Sequence, residues 1–236
     1  MIYLGDKKAE SIYLGDKKLS KIYLGERLVW EGYPEGHIIG TATNPGDTVT
    51  AYRYYTNSTR VNLSCIADNN KRFDLPVPTL IGAGSIFFYS NSYVATVDSF
   101  KALFESPGHY ELCSCSELKK VNLNGIKFTN SDFRISSWLY GCEKLQYIDA
   151  KGVEWSKIES IDTSFCYLPS LVELDLSGAN LSQAKILNCF SNIGSVGTIV
   201  KVIGCSATTQ NKIRDALNAN NGQTWVLKDG VITRTA

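Results

Sequence analysis

The sequence predicts a mainly β protein with some α structure, because three patterns follow one another along the chain. A decapeptide is repeated three times at the start, alternating segments between turn residues fill the middle, and a longer, looser repeat occupies the C-terminal half. Together they predict an N-terminal β-meander, a middle β-hairpin domain and a C-terminal solenoid with a helix-hairpin cap. The predicted boundaries are 1–33 for the meander, 37–103 for the β-rich domain, 104–205 for the solenoid and 206–236 for the cap.

Each decapeptide carries Ile, Tyr and Leu in succession, followed by Gly and an acidic residue. In an extended strand this order places Ile and Leu on one face and Tyr on the other, and the Gly-Asp or Gly-Glu pair supplies a turn. Strand, two-residue turn and strand then predict a β-meander, with strands over 12–14 and 17–24. Four aromatic residues of this segment are the predicted attachment positions: Tyr3, Tyr13, Tyr23 and Trp30.

A meander of about 30 residues cannot bury enough apolar surface to be stable alone. We expect it to pack against other subunits, and the alternative is an N-terminal sheet packed within its own monomer. Pro34, with Gly32 and Gly36 on either side, predicts a linker or a sharp bend. A domain boundary near residue 35 follows.

The middle of the chain alternates short β-rich segments with turn residues. Strands are predicted over 48–55, 61–66, 85–89 and 93–97. The segment Gly82-Ala83-Gly84 has part of a phosphate-binding loop pattern, but it has no third glycine and no Lys-Ser/Thr ending, so it predicts a turn.

Charge and composition argue against several classes of partner. The chain has 24 basic and 23 acidic residues, so no global field attracts nucleic acid. No apolar stretch approaches the roughly 20 residues that span a bilayer, so we predict no membrane insertion. The first residues carry no basic segment followed by an apolar run, which predicts a protein made in the cytoplasm without a signal peptide.

The chain has seven cysteines, an odd number. Without an export signal, they are predicted to be reduced thiols that pack as small apolar side chains. Only Cys113 and Cys115 are close in sequence, and the two histidines, His37 and His109, are far apart. We therefore predict no zinc site and no cofactor.

The longer repeat is anchored by Leu118, Leu145 and Leu171. Their spacing lies within the range of about 20 to 29 residues that is typical of leucine-rich repeats. Each anchor begins a strand of the form Leu-x-x-Leu-x-Leu, whose apolar side chains are predicted to point inward while the intervening ones face solvent. The strands are predicted to stack in parallel, with a fourth, degenerate copy through 190–203.

Each copy also has an apolar residue three positions before a Cys or its replacement: Leu112 before Cys115, Leu139 before Cys142, and Phe165 before Leu168. With the Leu-x-x-Leu-x-Leu strands, this pattern resembles the BspA-like class of leucine-rich repeats over about residues 104 to 205. The resemblance implies a leucine-rich-repeat solenoid. Within it, Trp138 and Trp155 are predicted to pack in the core or along a ridge rather than to form a ligand cage.

The C-terminal residues predict a cap for the open end of the solenoid. A helix is predicted over 206–221, with Ser206 or Thr208 as its N-cap. A hairpin follows, with strands over 224–227 and 231–233.

The opening repeat, which ends in Leu28-Val29-Trp30-Glu31-Gly32, is similar to N-terminal segments of structural proteins of tailed bacteriophages. This similarity implies a virion protein made in the host cytoplasm. We therefore predict a non-enzymatic head- or tail-associated fibre, decoration or adhesion component, with the N-terminal repeat for attachment and the solenoid surface for protein or glycan recognition. Its predicted partners are other virion proteins, further copies of itself and a host surface protein or glycan. The candidate contacts are seven solvent-facing residues between the buried anchors: Lys120, Asn122, Gln146, Tyr147, Asp149, Glu173 and Asp175.

Two alternatives remain open. One is a bacterial leucine-rich-repeat surface adhesin or protein-interaction module, which the absence of a signal peptide disfavours. The other is a glycan-cleaving virion enzyme, since Asp149 and Asp175 could face the same way on neighbouring strands about 5 Å apart. A solvated carboxylate pair without a concave pocket is usually inert, so we predict that the protein is not an enzyme.

Overall fold

The computed structural model describes residues 37–54, 60–76, 80–81, 85–98, 103–104, 110–128, 133–219 and 222–236, and six short strands between residues 3 and 31. The chain divides into two compact units, Met1–Glu35 and Gly36–Ala236. This division falls within the segment 32–36, where the sequence predicts a boundary.

The described part of the first unit consists of three β-hairpins. Its strands are β1 (Tyr3–Leu4), β2 (Lys7–Lys8), β3 (Ile12–Leu14), β4 (Lys17–Leu19), β5 (Lys21–Leu24) and β6 (Arg27–Glu31). They pair antiparallel as β1 with β2, β3 with β4 and β5 with β6, so each decapeptide forms its own hairpin.

The predicted continuous meander is not confirmed, because the six described strands form three separate two-stranded sheets. The strand predicted over 17–24 is divided between β4 and β5, which belong to different hairpins. Each copy has its own Gly-acidic pair between its two strands, which favours antiparallel pairing inside the copy, of β3 with β4 and of β5 with β6.

In the second unit, most of the described regular secondary structure consists of short strands, joined by turns. Its strands are β7 (His37–Ala42), β8 (Thr48–Tyr54), β9 (Arg60–Ile66), β10 (Arg72–Pro76), β11 (Leu80–Ile81), β12 (Ser85–Phe87), β13 (Val94–Asp98), β14 (Leu103–Phe104), β15 (Tyr110–Glu111), β16 (Lys120–Asn122), β17 (Lys127–Phe128), β18 (Phe133–Ser136), β19 (Tyr147–Asp149), β20 (Ile158–Asp162), β21 (Glu173–Asp175), β22 (Lys185–Leu187), β23 (Ile199–Lys201), β24 (Trp225–Lys228) and β25 (Val231–Arg234). The helices among its described residues are a 3-10 turn (Trp155–Lys157) and α1 (Ala207–Asn218). The mainly β fold class is confirmed.

Nine strands form one sheet, called here the main sheet, in the order β10, β7, β13, β16, β19, β21, β23, β25, β24. The five strands from β13 to β23 run parallel. At the two ends of this parallel stack, β13 pairs antiparallel with β7 and β23 pairs antiparallel with β25. Two further sheets, β11-β14-β17 and β18-β20-β22, are also parallel. Equivalent strands of successive coils therefore stack on one another, which is a solenoid-like arrangement.

The segment predicted as a separate middle domain contributes to the same sheet. Strands β7, β10 and β13 precede residue 103 in the chain and continue the main sheet beyond β16. A fourth sheet, in the order β15, β12, β8, β9, completes this region. The predicted boundary at 103/104 thus falls inside one compact unit.

The core of the second unit is organised by vertical rows of side chains in register. One row crosses the main sheet: Val97, Val121, Ile148, Leu174, Val200 and Ile232. All six are buried, as are the anchors Leu118, Leu145 and Leu171. Burying one such aliphatic side chain stabilises the fold by about 1.5–3 kcal/mol, so each coil contributes its own share of the core.

The cysteines lie mostly in the same interior, and none of the seven forms a disulfide. Several thiols donate hydrogen bonds to main-chain carbonyl oxygens of a neighbouring coil. Cys142 Sγ donates to Leu112 O at 2.7 Å, and Cys166 Sγ donates to Asn188 O at 2.8 Å. A small side chain with a weak donor therefore suits these positions, because it fills the core and links adjacent coils.

The two tryptophans of the repeats are core residues, as predicted. Trp138 and Trp155 are buried, and their rings meet edge-on with centroids 5.9 Å apart. Trp155 Nε1 also donates to Ala150 O at 2.9 Å.

The C-terminal segment forms a helix and a hairpin, as predicted, with bounds that differ from the predicted ones by up to three residues. Residues 220–221, at the predicted end of the helix, lie outside the described residues. Helix α1 begins after Ser206, whose hydroxyl accepts a hydrogen bond from Thr209 N, so Ser206 is the N-cap. Ile213 and Leu217 are buried on one face of the helix. The hairpin of β24 and β25 pairs with β23 and continues the main sheet, so the parallel stack ends in antiparallel strands.

Candidate binding surface

The outer face of the main sheet is formed by residues on either side of the buried row. Because side chains alternate along a strand, the residues before and after each buried position point to the opposite face. The first outer row is Thr96, Lys120, Tyr147, Glu173 and Ile199. The second outer row is Asp98, Asn122, Asp149, Asp175 and Lys201.

All seven predicted contact residues lie on this sheet or directly beside it. Five of them line a cleft of about 270 Å³: Lys120, Tyr147, Asp149, Glu173 and Asp175. Asn122 extends the second row beyond the cleft lining, and Gln146 precedes Tyr147 at an exposed position. The sequence pattern therefore identifies most of the residues that this cleft brings together.

Two lysines that the sequence analysis did not select complete the cleft, Lys151 and Lys201. Lys201 follows Asp175 by one repeat and pairs with it in register, so extending the repeat alignment into the degenerate fourth copy would have found it. Lys151 belongs to the turn after β19, and the strand pattern carries no signal for it.

Two ion pairs are formed by residues that line the cleft. Lys151 Nζ lies 3.0 Å from Asp149 Oδ2, and Lys201 Nζ lies 2.6 Å from Glu173 Oε1. The hydrogen bond to Asp149 raises the pKa of Lys151 above its ordinary value, and the charges of Asp149, Asp175 and Glu173 act in the same direction. The cleft thus presents nearly balanced positive and negative charge.

Tyr147 is the exposed aromatic side chain of the cleft, with 44% of its surface accessible. In register it stands between Lys120 and Glu173. An aromatic ring flanked by a cation and a carboxylate can stack on an apolar face of a ligand while its neighbours form hydrogen bonds.

Three residues of the second row also shape the turns that follow their strands. Asn122 Oδ1 accepts from Asn124 N at 2.9 Å, and Asp175 Oδ1 accepts from Ser177 N at 2.9 Å. Asp149 Oδ1 makes the same contact with Lys151 N at 3.5 Å. These side chains form Asx turns, so their residue types have a structural reason in addition to any contact with a ligand.

Asp149 and Asp175 are direct neighbours in register, as the carboxylate-pair alternative requires. Both belong to Asx turns, and Asp149 is also paired with Lys151. Among the described residues, no group of three His, Cys, Asp or Glu side chains is placed to hold a metal ion. The arrangement can donate, accept and pair charges with a polar ligand.

The predicted attachment residues lie on described strands, but their side chains are outside the described part of the chain. Main-chain register pairs Tyr3 with Lys8, Tyr13 with Lys18 and Tyr23 with Leu28. Trp30 pairs with Ile22. The segment Gly82-Ala83-Gly84 and His109 also lie outside the described residues.

Comparisons with protein-family models, with curated proteins and with solved structures found no match to this chain. Within the described ranges, no helix has both the length and the apolar character needed to cross a membrane.

Proposed function

We propose that this protein is a non-enzymatic binding protein whose ligand contacts the outer face of the main sheet at the cleft around Tyr147. The observation that carries the proposal is the convergence of Lys120, Tyr147, Glu173 and Lys201 on four neighbouring strands of one sheet. Strands hold side chains more rigidly than loops do, so little conformational entropy is lost when a ligand binds. The ligand class is a host surface protein or glycan.

We further propose that the coils are leucine-rich repeats of the BspA-like class. The resemblance is supported by the apolar residues that stand three positions before each Cys or its replacement: Leu112, Leu139, Phe165 and Phe190. All four are buried, and the Phe165 and Phe190 rings stack with centroids 5.7 Å apart. These four residues recur at intervals of 25 to 27 positions, and the anchors Leu118, Leu145 and Leu171 recur at intervals of 26 to 27.

The protein acts, in this proposal, as a structural component of a tailed-bacteriophage virion, as a fibre, decoration or adhesion subunit of the head or tail. Support comes from the similarity of the decapeptide repeat to N-terminal segments of such proteins. The three hairpins serve attachment to other virion proteins and to further copies of the chain. A separate N-terminal unit suits this role, because attachment and recognition then occupy different parts of the chain.

The test of the binding role is a comparison of Tyr147→Ala with Tyr89→Ala in the full chain. Both tyrosines are exposed, but Tyr89 lies outside the cleft. Binding to host cells or to an array of host-envelope glycans should fall about tenfold or more for Tyr147→Ala and stay unchanged for Tyr89→Ala. Equal binding by both variants would contradict a ligand site at the cleft.

The virion role has its own test. Mass spectrometry of purified virions should detect this chain, and deletion of residues 1–31 should leave a folded second unit that no longer assembles. Absence of the chain from virions would overturn the assignment, and loss of folding on deletion would place the hairpins in the core of the monomer.

The second candidate is a bacterial surface adhesin or protein-interaction module of the same repeat class. It is favoured by the extent of the BspA-like resemblance, which covers positions 104–205, whereas the bacteriophage similarity is confined to the opening repeat. Fractionation of producing cells separates the two, since the adhesin would be found at the cell surface in the absence of phage particles.

A further inference from the structure

Cys115 and Cys142 occupy equivalent positions in two successive coils. Their separation in the sequence equals that of the in-register partners Lys120 and Tyr147 that follow them. Main-chain hydrogen bonds join the segments just before them, with Ser114 N donating to Tyr140 O at 2.8 Å. Neighbouring strands lie about 4.7–4.9 Å apart, and a disulfide spans Cα atoms about 4.4–6.8 Å apart. The coils are therefore close enough to be joined at these positions.

The Cys142 side chain also reaches the coil that contains Cys115. Cys142 Sγ donates to Leu112 O at 2.7 Å, so it reaches out of its own coil into the coil of Cys115. Cys115 Sγ lies 3.5 Å from Phe88 O and 3.7 Å from Cys113 O, so this thiol also has main-chain acceptors. The two thiols influence each other, which lowers the pKa of Cys115 and raises the pKa of Cys142. The two thiols are therefore neighbours in adjacent coils, and either can supply the attacking sulfur.

Access to this pair is restricted. Cys115 and Cys142 are both fully buried, and the nearby Cys113 is 7% exposed. A bulky disulfide reagent cannot reach a sulfur atom in such a position without opening the coil, whereas hydrogen peroxide is little larger than water. The geometry favours a small oxidant.

We propose that Cys115 and Cys142 form a reversible disulfide, which covalently joins two coils of the solenoid, when the folded protein is exposed to hydrogen peroxide. This inference is independent of the binding role, since neither sulfur lies on the outer face of the main sheet. The Cys115 and Cys142 thiols would then stay reduced in a reducing environment, and in an oxidising one they would form a disulfide that joins the two coils.

The chemistry balances in two steps. The thiolate of one of the two cysteines attacks one oxygen of hydrogen peroxide, the O–O bond breaks, and the departing hydroxide takes up the proton that this thiol released and leaves as water. The sulfur of the other cysteine then attacks the resulting sulfenic acid, the S–O bond breaks, and the hydroxyl leaves as a second water with the proton of the second thiol. Two thiols lose two electrons, and one peroxide becomes two waters.

The test is peroxide treatment of the folded full chain, followed by alkylation of the remaining thiols in denaturant and peptide mapping by mass spectrometry. We expect a peptide pair linked through Cys115 and Cys142, and two fewer alkylated cysteines than the seven of the untreated protein. The thermal midpoint should rise by about 4 °C or more and return to its starting value after reduction.

Two matched variants assign the bridge. Cys142→Ser keeps a donor for Leu112 O and should abolish the bridge and the rise in midpoint. Cys113→Ser should retain both, because Cys113 Sγ is bonded separately to Ser137 O at 3.1 Å. If Cys142→Ser does not fold, Cys142→Ala serves in its place. Alkylation of all seven cysteines after peroxide, a bridge that survives in Cys142→Ser, or a bridge lost in Cys113→Ser would each overturn the proposal.

Discussion

Asn124 Nδ2 donates a hydrogen bond of 2.8 Å to Asp149 Oδ2, and this bond joins the turn after β16 to the end of β19. The Oδ1 atom of the same amide accepts from Gly152 N at 2.8 Å. The Asn124 amide therefore forms two hydrogen bonds with the next coil, one as donor and one as acceptor. They hold Asp149 in place in the lining of the cleft.

Removing this amide should loosen the contact between the two coils. Asn124→Ala loses both hydrogen bonds and leaves Gly152 N without this acceptor, so we expect the free energy of unfolding to fall by about 1–2 kcal/mol. Urea denaturation measures the change. Asn70→Ala is the control, because its side chain is exposed and its replacement should change the free energy by less than about 0.5 kcal/mol. Equal effects of the two substitutions would show that the Asn124 bonds contribute nothing.

Gly40 on β7 has no space for a side chain. A Cβ atom there would collide with the Thr96 carbonyl oxygen and approach the Phe73 ring to 2.7 Å. We expect Gly40→Ala to destabilise the second unit by at least about 3 kcal/mol, or to prevent folding, as judged by thermal unfolding. Gly46→Ala has free space around it but a φ of +82°, and should cost only about 1–2 kcal/mol. A similar loss for both would mean that the collision at β7 relaxes at little cost.

Lys212 on α1 is expected to stabilise the packing of the helix against the loop that precedes β22, through hydrogen bonds. Its Nζ donates to three carbonyl oxygens, those of Leu181 at 3.3 Å, Ser182 at 2.6 Å and Ala184 at 3.0 Å. Lys212→Met keeps most of the side-chain volume but removes the donors, so we expect a loss of about 1.5–3 kcal/mol in denaturant unfolding. The exposed Lys228 is the control, and Lys228→Met should leave the unfolding midpoint nearly unchanged. An unchanged unfolding midpoint in Lys212→Met would show that these hydrogen bonds do not stabilise the fold.

Stability should decline at alkaline pH, in part because of Cys189. Burial raises the pKa of this thiol, so it keeps its proton in the folded protein while the unfolded chain loses it above about pH 8.5. A raised folded pKa contributes stability that is present below the unfolded pKa and is lost as the pH rises. One such proton gives a slope of up to about 1.4 kcal/mol per pH unit. Unfolding under reducing conditions between about pH 8 and pH 10 should show a shallower decline for Cys189→Ala, and identical slopes would contradict the assignment.

Sequence periodicity was sufficient to locate the repeated coils and their interior. Leu118, Leu145 and Leu171 are buried as predicted, because a residue that recurs at the coil period returns to the same place in every coil. The cleft was found in part for the same reason, since Tyr147 and Glu173 occupy alternating positions of recognisable strands. The contact residues were predicted only from the three clear repeats, so Lys201, which lies in the degenerate fourth repeat, was not among them.

Other features depend on contacts that no local pattern records. Ser137, Thr163 and Asn188 adopt positive φ values of 55°, 47° and 48° without being glycine. They follow directly after β18, β20 and β22, and Ser137 N donates to Asp162 O on the neighbouring coil at 3.1 Å. The bonds between coils stabilise this left-handed backbone, so a search for glycine could not find it. The joining of β7, β10 and β13 to the main sheet is likewise a tertiary pairing.

The buried in-register row of Val121, Ile148, Leu174 and Val200 limits which insertions into the chain the solenoid can accept. Each coil meets its neighbours through the same kind of inward side chain, so a complete coil is the smallest insertion that preserves the alternation of faces. Residues 147–172 make up one repeat, because Tyr147 pairs in register with Glu173. Duplicating them would add one strand and extend the outer face by about 4.8 Å. A single inserted residue in β19 would instead turn its outward side chains into the core. Surface area in this architecture is therefore gained in whole modules.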